Sequence, residues 1–126
     1  MVPVRWMAPE TLQYGLFTTH SDVWAFGVLI WEMFSMGLKP YAGLLNRDIF
    51  QFLNDGCRMQ SPADCPEDVY AIMVKCWSKT PSERPMFRQL FDMFNQVYKN
   101  VFCLKYKCHS VGENVIGCNE TLTTVD

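Results

Sequence analysis

The chain has 126 residues, 49% of them hydrophobic and 14% aromatic, with a formal net charge of −2. That is apolar material for one modest core and one domain, and no basic excess exists to drive binding to nucleic acid or to a membrane surface. The six cysteines (Cys57, Cys65, Cys76, Cys103, Cys108 and Cys118) form no Cys-x-x-Cys pair and no signal peptide opens the chain, so the thiols read as reduced and the segment as cytosolic.

Residues 1–20 read as irregular, apart from a short turn of helix near Pro9 to Leu12. Proline suits a first helical position, where its missing N–H is an orphan anyway, and Tyr14-Gly15 ends the turn. Ser21 is expected to cap the next helix, which runs to about Met36 with Gly37 as its stop. Val23, Trp24, Phe26, Val28, Leu29, Ile30, Trp31, Met33 and Phe34 cover its whole circumference. Such a helix is packed by several neighbours within a larger fold. The run is broken by Glu32 and is too short to cross a bilayer, which takes about 20 residues.

Pro40-Tyr41-Ala42-Gly43 is a turn. Asn46 is expected to cap a helix through Asp55, with Gly56 at its end, and a polar loop follows to Asp64. Pro66 fits the first position of the next helix. Val69, Ile72, Met73, Cys76 and Trp77 give it one apolar face, and Glu67 and Asp68 favour its positive end. Thr80-Pro81-Ser82 breaks it. Phe87, Leu90, Phe91, Phe94, Val97 and Tyr98 make the face of a final helix, and the aromatic and methionine residues of these last two helices read as core. From Asn100 no helical period is sustained; Val101 to Tyr106 reads as a short strand. Domain boundaries follow: 1–99 as one helical unit, 100–126 as an unassigned tail without expected order.

Several motifs stand in a fixed train: Pro3-Val4-Arg5-Trp6-Met7-Ala8-Pro9-Glu10, Asp22-Val23-Trp24-Ala25-Phe26-Gly27, Gly37-x-x-Pro40-Tyr41, Cys76-Trp77 and Pro81-x-x-Arg84-Pro85-x-Phe87. Order and spacing together carry more than any one motif. From residue 2 to about residue 98 the train resembles the end of the activation segment and the following helices of a protein kinase, in its tyrosine-specific, receptor-type form. Tyr14-Gly15 through Thr18-Thr19 and Gly37-Leu38-Lys39-Pro40-Tyr41 look similar to the neurotrophin-receptor, orphan-receptor and muscle-specific relatives. The fold class this implies is mainly α: the helical large lobe of the kinase fold, incomplete. The small lobe, catalytic loop and metal-binding motif would all lie before Met1.

The resemblance assigns roles residue by residue. Val2, Pro3 and Val4 would form the floor under a substrate tyrosine, with Pro3 against the phenol ring and the two valines lining a pocket for the residue after it. A rigid proline face gives a flat apolar surface at small entropic cost. Arg5 would steer the activation segment or the substrate, or else be a solvated charge. Trp6 and Trp24 would be positioning residues. Glu10 and Arg84 would meet as an ion pair pinning the end of the activation segment to the lower helices. Asp22 would either favour the positive helix end, worth about 0.3–1 kcal/mol, or accept backbone N–H groups from a catalytic loop that this chain lacks.

The function implied is that of a segment of a receptor-type tyrosine kinase. The parent would transfer the ATP γ-phosphoryl group to protein tyrosine, using ATP and magnesium that this segment does not itself hold. The segment alone is expected to be inactive, carrying the substrate platform and the helical scaffold. The alternative is a non-catalytic interaction module derived from a kinase lobe. Expected partners are protein tyrosine substrates through the parent and, through a kinase–kinase contact, another kinase, with no nucleic acid and no membrane contact; the expected location is the cytoplasmic part of a plasma-membrane receptor. A helix-turn-helix DNA binder fails on charge and on the all-round apolar central helix. Cys103, Cys108, His109 and Cys118 have spacings that fit no common zinc site, and Asn119-Glu120-Thr121 is read as a chance match to the glycosylation pattern. The central helix should leave an apolar face uncovered, so that the isolated chain aggregates or binds a hydrophobic dye.

Overall fold

The computed structural model describes residues 2–109, and all of its regular structure there is helical. Five α-helices follow one another: α1 (Pro9–Tyr14), α2 (Thr19–Phe34), α3 (Asn46–Asn54), α4 (Glu67–Cys76) and α5 (Phe87–His109). Two 3-10 turns, Val4–Trp6 and Pro81–Glu83, precede α1 and α5. The described residues up to Phe91 form one compact unit, and those from Asp92 on belong to a second. No helix among the described residues is long and apolar enough to cross a membrane.

In the first unit α2 is the central element and packs chiefly against α4. Val23, Trp24 and Val28 of α2, Ile49 and Leu53 of α3, and Met73 and Cys76 of α4 are completely buried. The approach of α2 to α4 depends on Gly27. A Cβ there would lie 2.7 Å from both Cys76 Cβ and Trp77 Nε1, closer than real carbon contacts come. The helices therefore touch backbone to side chain at this point.

The sequence signals place each helix, but the termini move. Thr18, not Ser21, is the N-cap of α2. Its hydroxyl accepts from the Ser21 N–H at 3.3 Å, while the Ser21 hydroxyl accepts from the Thr18 N–H at 2.7 Å, forming a reciprocal capping box. At the other end α2 stops at Phe34. The Gly37 N–H donates to the Glu32 carbonyl and the Met36 N–H to the Met33 carbonyl. This is a Schellman closure with Met36, at φ 61°, as its left-handed residue. Gly37 lies one position beyond the residue that turns the chain. At α3, Leu45 occupies the N-cap and Asn46 is the first helical residue. Pro66 likewise caps α4 rather than opening it.

Two readings of the last helices are corrected. The segment Val101 to Tyr106 is helical, not a strand, because α5 continues to His109. Its period runs on through Phe94, Tyr98, Val101 and Phe102, and Tyr98 stacks on Phe102 one turn away at 6.0 Å. The aromatic residues of α5 are also not uniformly core: Phe91 is 70% exposed and Phe87 is exposed, although Phe87 meets Phe26 edge to face at 5.6 Å. On α2, Leu29 and Met33 are exposed apolar residues one turn apart. The side chains of Cys108 and His109, together with Cys118 and Asn119, lie outside the described residues.

Candidate functional site

The segment Val2–Trp6 is built by proline chemistry. Pro3 has φ −79° and ψ 65°, and the Val4 N–H donates to the Val2 carbonyl at 2.9 Å. That is an inverse γ-turn with proline at its centre, where the ring already fixes the required φ. The Trp6 N–H then donates to the Pro3 carbonyl at 3.0 Å, starting the 3-10 turn. The result presents Val2 and Pro3 to solvent and half-covers Val4. A cavity of about 340 Å³ lies against them, lined by Val2, Pro3, Val4, Arg5, Trp6, Lys39 and Asn46.

Arg5 holds this surface in place. It is buried rather than solvated, and it also lines the cavity. Its Nη1 donates to the Pro40 and Tyr41 carbonyls at 2.8 and 2.9 Å, and its Nη2 to the Leu44 carbonyl at 2.7 Å. The carbonyls converge because Tyr41 (φ 54°) and Gly43 (φ 93°) turn the loop back on itself. The guanidinium is buried, and these hydrogen bonds to a charged donor offset the cost of removing it from water. The solvated-charge reading of Arg5 is therefore wrong. Trp6 adds a second tether, its indole N–H donating to Glu32 Oε1 on α2 at 2.6 Å.

Glu10 and Arg84 meet as an ion pair. Arg84 Nη1 and Nη2 donate to the two carboxylate oxygens of Glu10 at 2.7 and 2.8 Å, a bidentate fork. The remaining donors of Arg84 reach the Ser78 and His20 carbonyls at 2.8 and 3.0 Å. Burial pushes the Glu10 carboxyl up, but the Arg84 hydrogen bonds, a backbone hydrogen bond and the charge of Arg84 outweigh it, so the group ends below its ordinary value.

Trp24 is buried beside two guanidiniums. The carbon of Arg84 lies 5.1 Å from its ring centroid and that of Arg58 lies 5.0 Å from it, both within cation–π range. Arg58 also donates to the Trp77, Leu53 and Cys57 carbonyls. Asp22, in contrast, is exposed in the first turn of α2, and its carboxylate has no hydrogen bond or ion pair among the described residues. The neighbouring His20 Nδ1 and Trp24 Nε1 are buried without hydrogen-bond partners.

Sequence reasoning missed Arg58, Glu32 and Lys39. Arg58 gave no signal because its acceptors are all main-chain carbonyls. A larger groove of about 820 Å³ runs beside the loop after α2, with Trp31, Tyr41, Phe52, Met59 and Arg58 among its lining residues. Tyr41, buried there, has its phenol pushed up to about 12 by loss of hydration.

The family described as protein tyrosine and serine/threonine kinase matches residues 1–94 of the chain. The chain belongs to the protein tyrosine and serine/threonine kinase family. It is 40% identical over 127 aligned residues to the proto-oncogene tyrosine-protein kinase ROS of Homo sapiens, which covers 100% of this chain and 5% of that protein. It is 43% identical over 106 residues to the tyrosine-protein kinase transforming protein ros of UR2 avian sarcoma virus, 84% of this chain and 26% of the viral protein. It is 46% identical over 92 residues to a putative molluscan insulin-related peptide(s) receptor of Lymnaea stagnalis, 73% of this chain and 6% of that receptor. The chain thus spans a small part of each relative's length. It is a helical large-lobe segment of a receptor-type tyrosine-kinase catalytic domain, and the alignment to the human kinase extends through residues 100–126.

Proposed function

We propose that this kinase segment supplies the surface on which a protein tyrosine is presented for phosphorylation in a longer protein. The reaction of that protein is transfer of the ATP γ-phosphoryl group to a tyrosine hydroxyl, and its substrates are tyrosine-bearing proteins. The observation that carries the reading is the inverse γ-turn at Pro3, with Val2 and Val4 beside it on one cavity and Arg5 fixing the surface from behind. Proline gives the phenol ring a flat apolar face with little freedom to lose. The flanking valines offer apolar walls to the next residue of the peptide.

The sequence contains neither His-Arg-Asp nor Asp-Phe-Gly, the motifs that carry a kinase's catalytic and metal-binding aspartates. In this proposal nucleotide and metal belong to other parts of the longer protein, which is a plasma-membrane receptor with this segment on its cytoplasmic side.

The test is a fluorescence-anisotropy titration of the 126-residue chain with a labelled tyrosine peptide and with its serine counterpart. The tyrosine peptide should bind more tightly, and Pro3→Gly should remove the difference. Equal binding of both peptides to the unaltered chain overturns the reading. A second reading, a module that docks onto another kinase, is favoured by the exposed Leu29 and Met33 on α2. Loss of a kinase contact on Met33→Lys would support it.

A further inference from the structure

We propose that Lys39 selects substrates bearing an acidic side chain on the C-terminal side of the acceptor tyrosine. The inference rests on the platform reading of Val2, Pro3 and Val4. The cavity against that platform is lined by two cationic residues, Arg5 and Lys39, and by no carboxylate. The chain as a whole carries a net charge of −2, so this positive surface runs against the overall balance.

The two cations are not equivalent. The Nη1 and Nη2 atoms of Arg5 are committed to the carbonyls of Pro40, Tyr41 and Leu44. The Trp6 indole is committed to Glu32. Lys39 is exposed and makes no hydrogen bond or ion pair among the described residues. It lines the platform cavity and also the larger groove bounded by Leu38, Tyr41, Phe52 and Met59. It therefore stands on the wall shared by the two hollows, where a peptide leaving the valine-lined pocket passes it. An ammonium on a four-carbon stem adapts to a carboxylate at more than one depth. A lysine that merely solvates the surface would leave the affinities of acidic and basic peptides equal.

An exposed pair of this kind is modest and screened by salt. The expected preference is about 2- to 5-fold at low ionic strength. The experiment titrates the 126-residue chain with two labelled peptides that are identical except for Glu or Lys two positions after the tyrosine. The unaltered chain should favour the Glu peptide, and the preference should fade toward about 1 M salt. Lys39→Glu should reverse it in favour of the Lys peptide, with an unchanged far-ultraviolet circular dichroism spectrum. If the two peptides bind equally to both chains while Pro3→Gly still weakens both, the Lys39 assignment falls and the platform stands. If neither peptide binds, the platform falls and the inference with it.

Discussion

Glu10 and Arg84 stand 74 positions apart in the chain and close as a two-pronged ion pair at 2.7 and 2.8 Å. The Arg84 side chain has no exposure and that of Glu10 retains 13%. The pair ties the segment that carries α1 to the turn before α5. Its value lies in position more than in net stability, because desolvating both charges offsets most of their attraction. Breaking it is another matter. Arg84→Ala strands the carboxylate and leaves the carbonyls of Ser78 and His20 without their donor. The expected loss is about 3–5 kcal/mol, read as a lower urea midpoint in tryptophan fluorescence. A midpoint equal to that of the unaltered chain would refute the pinning role.

The same pair sets an acid limit. The Glu10 carboxyl lies below its ordinary value of 4.5 in the folded chain. Its contribution is therefore complete above about pH 4.5 and is lost as the pH falls through the lower folded value. Urea midpoints should drop across that window, and Glu10→Gln should flatten the drop while lowering stability at neutral pH. An identical acid profile in Glu10→Gln would assign the acid limit to other groups.

Gly27→Ala pits two effects against each other. Helix propensity favours alanine by about 0.8–1 kcal/mol. Overpacking opposes it by about 1–3 kcal/mol, since the new methyl meets Cys76 Cβ and Trp77 Nε1 at 2.7 Å. Neither neighbour is the free end of a flexible chain, so packing wins and the variant is less stable. A rise in the urea midpoint would show that α2 and α4 are less tightly apposed.

Met36→Gly should move stability the other way. Met36 sits at φ 61° and is 91% exposed, so it pays for a left-handed backbone without packing in return. That conformation costs a residue with a Cβ about 1–2 kcal/mol. The added freedom of glycine in the unfolded chain returns about 0.4–1 kcal/mol of this. A net gain of about 0.5 kcal/mol is expected in the same urea assay, and a loss would mean that the Met36 side chain makes a stabilising contact.

The cysteines should separate by reactivity. Cys57 is exposed, whereas Cys76 is fully buried and its thiol is pushed up to about 12 by burial. Iodoacetamide at about pH 8 should modify Cys57 in the folded chain and leave Cys76 until urea is added. Peptide mass mapping that finds Cys76 modified as early as Cys57 would show that the α2–α4 core opens readily.

The parts of the fold legible in the sequence were those written in periodicity and in widely spaced motif residues. The buried face of α4 and the core of α2 follow from apolar spacing, and the Glu10–Arg84 pair from the family resemblance. The exposed Leu29 and Met33 follow from a helix with more apolar sides than one small unit can cover. What stayed hidden depends on main-chain geometry. Nothing in the spacing of Arg5 and Pro40 shows that three carbonyls face one guanidinium, since that needs the left-handed turn at Tyr41. Thr18 and Ser21 are both good caps, and only their reciprocal bonds decide between them. The helical course of Val101 to Tyr106 was masked by valine and aromatic residues that suit a strand equally well.

The grip of Arg5 on residues 40–44 runs entirely through peptide oxygens. The hold itself is made without side chains of that stretch, while the buried Pro40 and Tyr41 and the left-handed turn at Tyr41 and Gly43 aim the oxygens. A substitution at the exposed Lys39 beside the stretch therefore leaves the grip intact. What that surface displays and what anchors it are thereby carried by different atoms.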